Sequence, residues 1–142
     1  KFEYLKNFVS KINLGDGRIF VKDFKTLWNE SVSINSNEID FLNDEEGKKL
    51  VGEIIFNFKD IEKFFRYFQI KRNYRDVFDQ ISFDFIYDLT LDKLIMNNLK
   101  IDNKSSEKID KFISQYNKSE NNLFNKVTLR NFIKEFFQIY AG

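Results

Sequence analysis

The carboxylates nearest to a strong turn signal are Asp16 and Asp23, which flank Gly17 in the stretch Gly15-Asp16-Gly17-Arg18-Ile19-Phe20-Val21-Lys22-Asp23-Phe24. A hard dication such as calcium takes six or more oxygens, and a twelve-residue loop offers them from positions 1, 3, 5, 7, 9 and 12, with glycine at 6 for the bend. With Gly17 at the bend, Asp16 falls at the third ligand position and Asp23 at the last, and Ile19 takes the apolar position between them. The other ligand positions are Ile12, Leu14, Arg18 and Phe20, so two carboxylates are available and an arginine occupies a ligand slot. The spacing is that of half a calcium site, and the ligand count predicts that it holds no ion.

Other chemistry is sparse. The 142 residues include no Cys and no His, which removes disulfides, thiolate nucleophiles, imidazole bases and zinc sites of the usual kind. Carboxylates and tyrosines are present, yet none are paired at a recognisable catalytic spacing, so no enzyme is expected. The net charge is +1. Binding to nucleic acid needs a clustered basic surface, and Lys71, Arg72 and Arg75 form the single cluster of that kind, so none is expected. No apolar run reaches the length of a membrane span and no cleavable leader pattern is present, so direct membrane insertion is not expected and the chain reads as soluble and intracellular. Eighteen Phe, six Tyr and one Trp make any core largely aromatic.

The elements that must position these residues are read from apolar spacing. Phe2, Leu5, Phe8, Val9 and Ile12 recur at steps of three and four, the spacing of one helix face ending near Gly15 and Gly17. Lys1 falls within that pattern, as expected of a segment of a longer chain. Further helices are expected from about Lys22 through Phe24, Leu27 and Trp28; from an N-cap at Ser36 through Ile39, Phe41 and Leu42; and from near Phe58 through Ile61, Phe64, Phe65 and Phe68. After the polar segment 71–76, Tyr74, Val77, Phe78 and Ile81 suggest another, as do Leu91, Leu94, Ile95 and Leu99. Ser105 or Ser106 caps a helix carrying Ile109, Phe112, Ile113 and Tyr116, and Leu129 to Tyr140 closes the chain. The expectation is an all-α protein with lobes at 1–70 and 77–142 joined by a basic linker at 71–76.

Three more segments repeat the frame of the first loop. Phe56 and Asp60 stand where Ile19 and Asp23 do, followed by Leu89 and Lys93 in "LTLDKL", then Val127 and Asn131 in "VTLRNF". In the fourth loop the earlier ligand slots include Asn122 and Phe124. Four weak loops in this order resemble the calmodulin-like EF-hand superfamily over nearly the whole chain, and their lost ligands make them most similar to the myosin light chains. That resemblance implies four degenerate helix-loop-helix units in two lobes, calcium binding lost in all four, and no cofactor.

It also implies a calcium-independent module that clamps an amphipathic helix of a protein partner such as a myosin heavy-chain neck, in the cytoplasm or on the cytoskeleton. By the same resemblance Phe24, Trp28, Phe64 and Phe65 in one lobe, and Phe78, Leu94, Phe112 and Phe136 in the other, face the bound helix. The same spacing also fits a helix core. A calcium sensor using Asp16 and Asp23, and a helical scaffold module, are the alternatives.

Overall fold

The computed structural model describes residues 5–120, Leu123 and residues 125–142, and its framework is a sheet rather than a helical bundle. The first four elements are the strands β1 (Leu5–Gly15), β2 (Arg18–Trp28), β3 (Val32–Asp44) and β4 (Gly47–Phe58). The helix α1 (Ile61–Phe68) and a 3-10 turn (Arg72–Tyr74) follow. Next come β5 (Gln80–Asp88), β6 (Lys93–Ile101), α2 (Glu107–Lys118) and α3 (Lys126–Ala141). Among the described residues the six strands form one antiparallel sheet in sequence order, each pairing with the next.

Local chemistry fixes the hairpins. Gly15 pairs with Arg18, so Asp16 and Gly17 form a two-residue loop with φ of 52° and 73°. Two positive φ values in succession define the type I′ turn, for which Asp-Gly is a preferred pair because its twist matches that of the flanking strands. The β2–β3 turn likewise places Asn29 and Glu30 at φ of 46° and 58°. Between β5 and β6 the Asp88 carboxylate accepts from the N–H groups of Thr90 and Leu91, at 2.8 and 2.9 Å, and ties the loop.

Two of the three helices start at side-chain N-caps, while Ser106 at the start of α2 makes no capping bond. Asp60 accepts from Lys63 N at 3.1 Å and starts α1; Asn125 accepts from Val127 N at 2.9 Å and starts α3. Their apolar faces close on the sheet through an aromatic cluster. Phe65 and Phe137 are fully buried and meet edge to face with ring centres 5.1 Å apart. Trp28 at the end of β2 is boxed in by Phe64, Tyr67 and Phe68 of α1. The cluster reaches the sheet at Trp28, Phe58, Ile81, Phe83, Leu94, Met96, Leu99 and Ile101.

These findings overturn the all-α expectation and, with it, the calmodulin-like and light-chain resemblance: a six-stranded antiparallel sheet with three helices is not an array of EF-hands. Helices do occur at Ile61–Phe68, Glu107–Lys118 and Lys126–Ala141. The helices expected over 5–12, 22–28 and 36–42 are strands; the one over 91–99 is the end of the β5–β6 turn followed by β6, and the one over 74–81 is the last residue of the 3-10 turn, an irregular stretch and the start of β5. The reason is local. The strand pairings slip between Lys6 and Lys11 in β1 and between Asn35 and Ile39 in β3, and Asn7, Asp23 and Asn98 adopt positive φ within β1, β2 and β6. One extra residue at each bulge turns the two-residue step of a strand into a step of three. Leu5 to Phe8, Val21 to Phe24, Ser36 to Ile39 and Met96 to Leu99 thereby imitate helical spacing.

Segment 71–76, expected as a linker, holds the 3-10 turn, and its Arg75 guanidinium donates to the carbonyl of Ile70 at 2.9 Å and to Glu62 at 3.2 Å. Lys1, Phe2, Asn122 and Phe124, which entered the sequence reading, lie outside the described residues.

Candidate binding face

Antiparallel partners point to the same side of a sheet, so the register defines its two faces. From Trp28, Val32 and Phe58, which pair in a row, the helix side continues through Ile34 and Phe56, then across the bulges to Val21, Ile39 and Gly52, and on to Ile19, Phe41 and Leu50. Ile12 and Leu14 extend it in β1, and Phe83, Phe85 and Tyr87 extend it in β5. None of these side chains is charged. The opposite side carries the charged rows: Arg18 bonds to Asp40, Lys22 lies 3.7 Å from Glu38, and Arg18 and Lys22 both sit over the Phe20 ring.

The helices cover only part of the apolar side. Ile34, Ile39, Phe41, Leu50, Ile54 and Phe56 lie outside the cluster packed by α1, α2 and α3. On β1 the face is open to solvent: Phe8 is 65% exposed, Ile12 72% and Leu14 77%. Monomers rarely leave contiguous apolar surface beyond a few hundred Å² uncovered, and larger patches mark interaction sites.

The two buried hydroxyls on this face are already used. The Thr26 hydroxyl donates to the Lys6 carbonyl at 3.0 Å, and the Ser36 hydroxyl donates to the Glu53 carbonyl at 2.6 Å. At the margin, the Tyr87 hydroxyl bonds to Asp92, and this bond, with burial second, raises its pKa. What remains between these hydroxyls for a ligand is methyl and ring surface, with exposed Asn43 and Lys48 paired at the β3–β4 end of the face.

Gly52 sits opposite the β3 bulge. A Cβ there would lie 2.7 Å from the Glu38 carbonyl oxygen and 3.3 Å from the Ile39 Cα, so the two backbones approach closely only because position 52 has no side chain.

The residues expected to hold a partner helix are dispersed. Phe65, Phe78, Phe112 and Phe136 are buried in the core, and Trp28, Phe64 and Leu94 pack against it. Phe24 belongs to the open face, where its ring meets Phe8 edge to face at 5.3 Å. The carboxylates considered for calcium also separate in role: Asp16 forms the β1–β2 turn, and Asp23 occupies the β2 bulge and pairs with Lys11 at 3.0 Å. Among the described residues no group of three or more acidic side chains is placed to hold a metal ion. No helix among them is long and apolar enough to cross a membrane.

Ile34, Leu50 and Ile54 escaped the sequence reading, and Ile39, Phe41 and Phe56 entered it as helix or loop residues rather than as a binding face. The signal was the two-residue alternation Ile54-Phe56-Phe58 and Ile81-Phe83-Phe85-Tyr87. Comparison with known protein families, with curated proteins and with solved structures returns no match.

Proposed function

We propose that this is a non-catalytic binding domain that shelters a hydrocarbon chain on the open half of its apolar sheet face. The observation that carries the proposal is the combination of an apolar sheet face outside the helix-packed cluster, exposed on β1 and half-buried on β3 and β4, with hydroxyls already committed to backbone carbonyls. A polar ligand would find no unspent donor at Thr26 or Ser36. A hydrocarbon needs none, because its attraction to this surface is the removal of apolar area from water.

Magnitudes set the expected behaviour. Each buried methylene contributes about 0.8 kcal/mol, so ten contribute roughly 8 kcal/mol against an association cost of roughly 4 kcal/mol or more. Short chains should not bind, and affinity should fall about fourfold for each methylene removed. Titration of a sixteen-carbon fatty acid, followed by NMR, should show saturable shifts at Ile39, Phe41, Ile54 and Phe56. Phe41→Lys should weaken uptake at least tenfold with the fold intact. Absence of uptake, or shifts confined to the helices, would overturn the reading.

An amphipathic helix of a protein partner is a second occupant, favoured by width: strands β1 to β4 span roughly 14 Å between outer axes, and a helix is roughly 10–12 Å across. A synthetic amphipathic helix that displaces the fatty acid and binds more tightly would favour this second reading.

A further inference from the structure

The two edges of the sheet are finished differently. At β6 the helix α2 lies alongside, and the Asn117 side chain imitates a strand: its Oδ1 accepts from Met96 N at 3.0 Å and its Nδ2 donates to Met96 O at 2.6 Å. Farther along β6, Ile101 exchanges two 3.0 Å backbone bonds with Lys104. At the other edge β1 has one neighbour, β2, and among the described residues no further strand or helix pairs with it. An antiparallel edge turns the N–H and C=O of alternate residues outward, a ready template for one more strand.

The charge of this edge selects the strand. The β1–β2 hairpin, residues 5–28, carries Lys6, Lys11, Arg18, Lys22 and Lys25 against Asp16 and Asp23, a net of +3 in a chain of net +1. Two such hairpins would repel, which argues against a second copy pairing edge to edge. On its inner side β2 already pairs with a strand of opposite character: β3 sets Glu38 and Asp40 against Lys22 and Arg18, with Ile39 and Phe41 alternating onto the apolar face. In β1 itself Lys6 and Lys11 are held by Glu30 and Asp23 in solvent-exposed pairs. Such exposed pairs are screened by solvent and are readily exchanged.

We infer that the β1 edge docks an extended segment of a partner polypeptide whose side chains alternate apolar with acidic, as β3 does on the inner side of the same hairpin. Ile12 and Leu14 would gain apolar neighbours on the open face while Lys6 and Lys11 meet carboxylates on the other. The inference is independent of what occupies the open face.

The test uses two nine-residue peptides, one alternating isoleucine with glutamate and the other isoleucine with lysine, and reads amide exchange along β1. The expected result is protection of β1 amides by the glutamate peptide with at least tenfold tighter binding than its lysine twin. Lys6→Glu with Lys11→Glu, both exposed and outside the core, should reverse that order. Binding of neither peptide, equal binding of both, protection mapped to β6, or protection of β1 by dimerisation of the protein alone would each overturn it.

Discussion

Gly52 and Gly17 answer to different constraints. At Gly52 the obstacle is space, since a methyl group would meet the Glu38 carbonyl at 2.7 Å. Gly52→Ala should therefore destabilise by about 1–3 kcal/mol, as overpacking does, measured by chemical denaturation. At Gly17 the space is open and the obstacle is a φ of 73°. Gly17→Val should cost about 1–2 kcal/mol through backbone strain, and Gly17→Asn markedly less. Equal losses for Val and Asn at position 17 would refute the conformational account. The Asp-Gly pair was legible in the sequence as a hairpin turn; reading Asp16 as an ion ligand drew attention from its left-handed backbone.

Among the elements, the strands were harder to read than the helices for a physical reason. Helices α1 and α3 begin at real caps, Asp60 and Asn125, and the helices pack apolar stripes against the sheet. The strands alternate apolar and polar residues, but bulges at Asn7, at Asp23, between Asn35 and Ile39, and at Asn98 shift the phase. Spacing alone could not separate a bulged strand from a helix. β5 near its hairpin is the counterexample, with Phe83, Phe85 and Tyr87 alternating cleanly. Edge closure by α2 is also testable. Asn117→Ala removes the partner of both Met96 backbone groups and should cost about 1–3 kcal/mol, with faster amide exchange at Met96. Unchanged exchange at Met96 would show that the clamp does not protect the edge.

For the whole molecule, the aromatic core sets the response to alkali. Burial raises the pKa of Tyr116; burial, then the charges of Asp102 and Asp76, raises that of Tyr140. A raised phenol is neutral in the folded state, so its contribution is complete below the unfolded value of 10.0 and is lost as pH rises through the folded value. Stability should fall above about pH 10, and Tyr116→Phe should move that alkaline decline upward, followed by thermal melting against pH. An unshifted decline in the variant would locate the alkaline sensitivity elsewhere.

The Asn117 clamp has a consequence for assembly. Growth of a sheet into a fibre needs two live edges on every unit, one to receive and one to give. With β6 clamped at Met96 and at Ile101, growth is left to the β1 edge, which can take one strand. In the vocabulary of polymerisation it is a chain terminator, and an exposed edge that would otherwise seed aggregates becomes a socket of valence one.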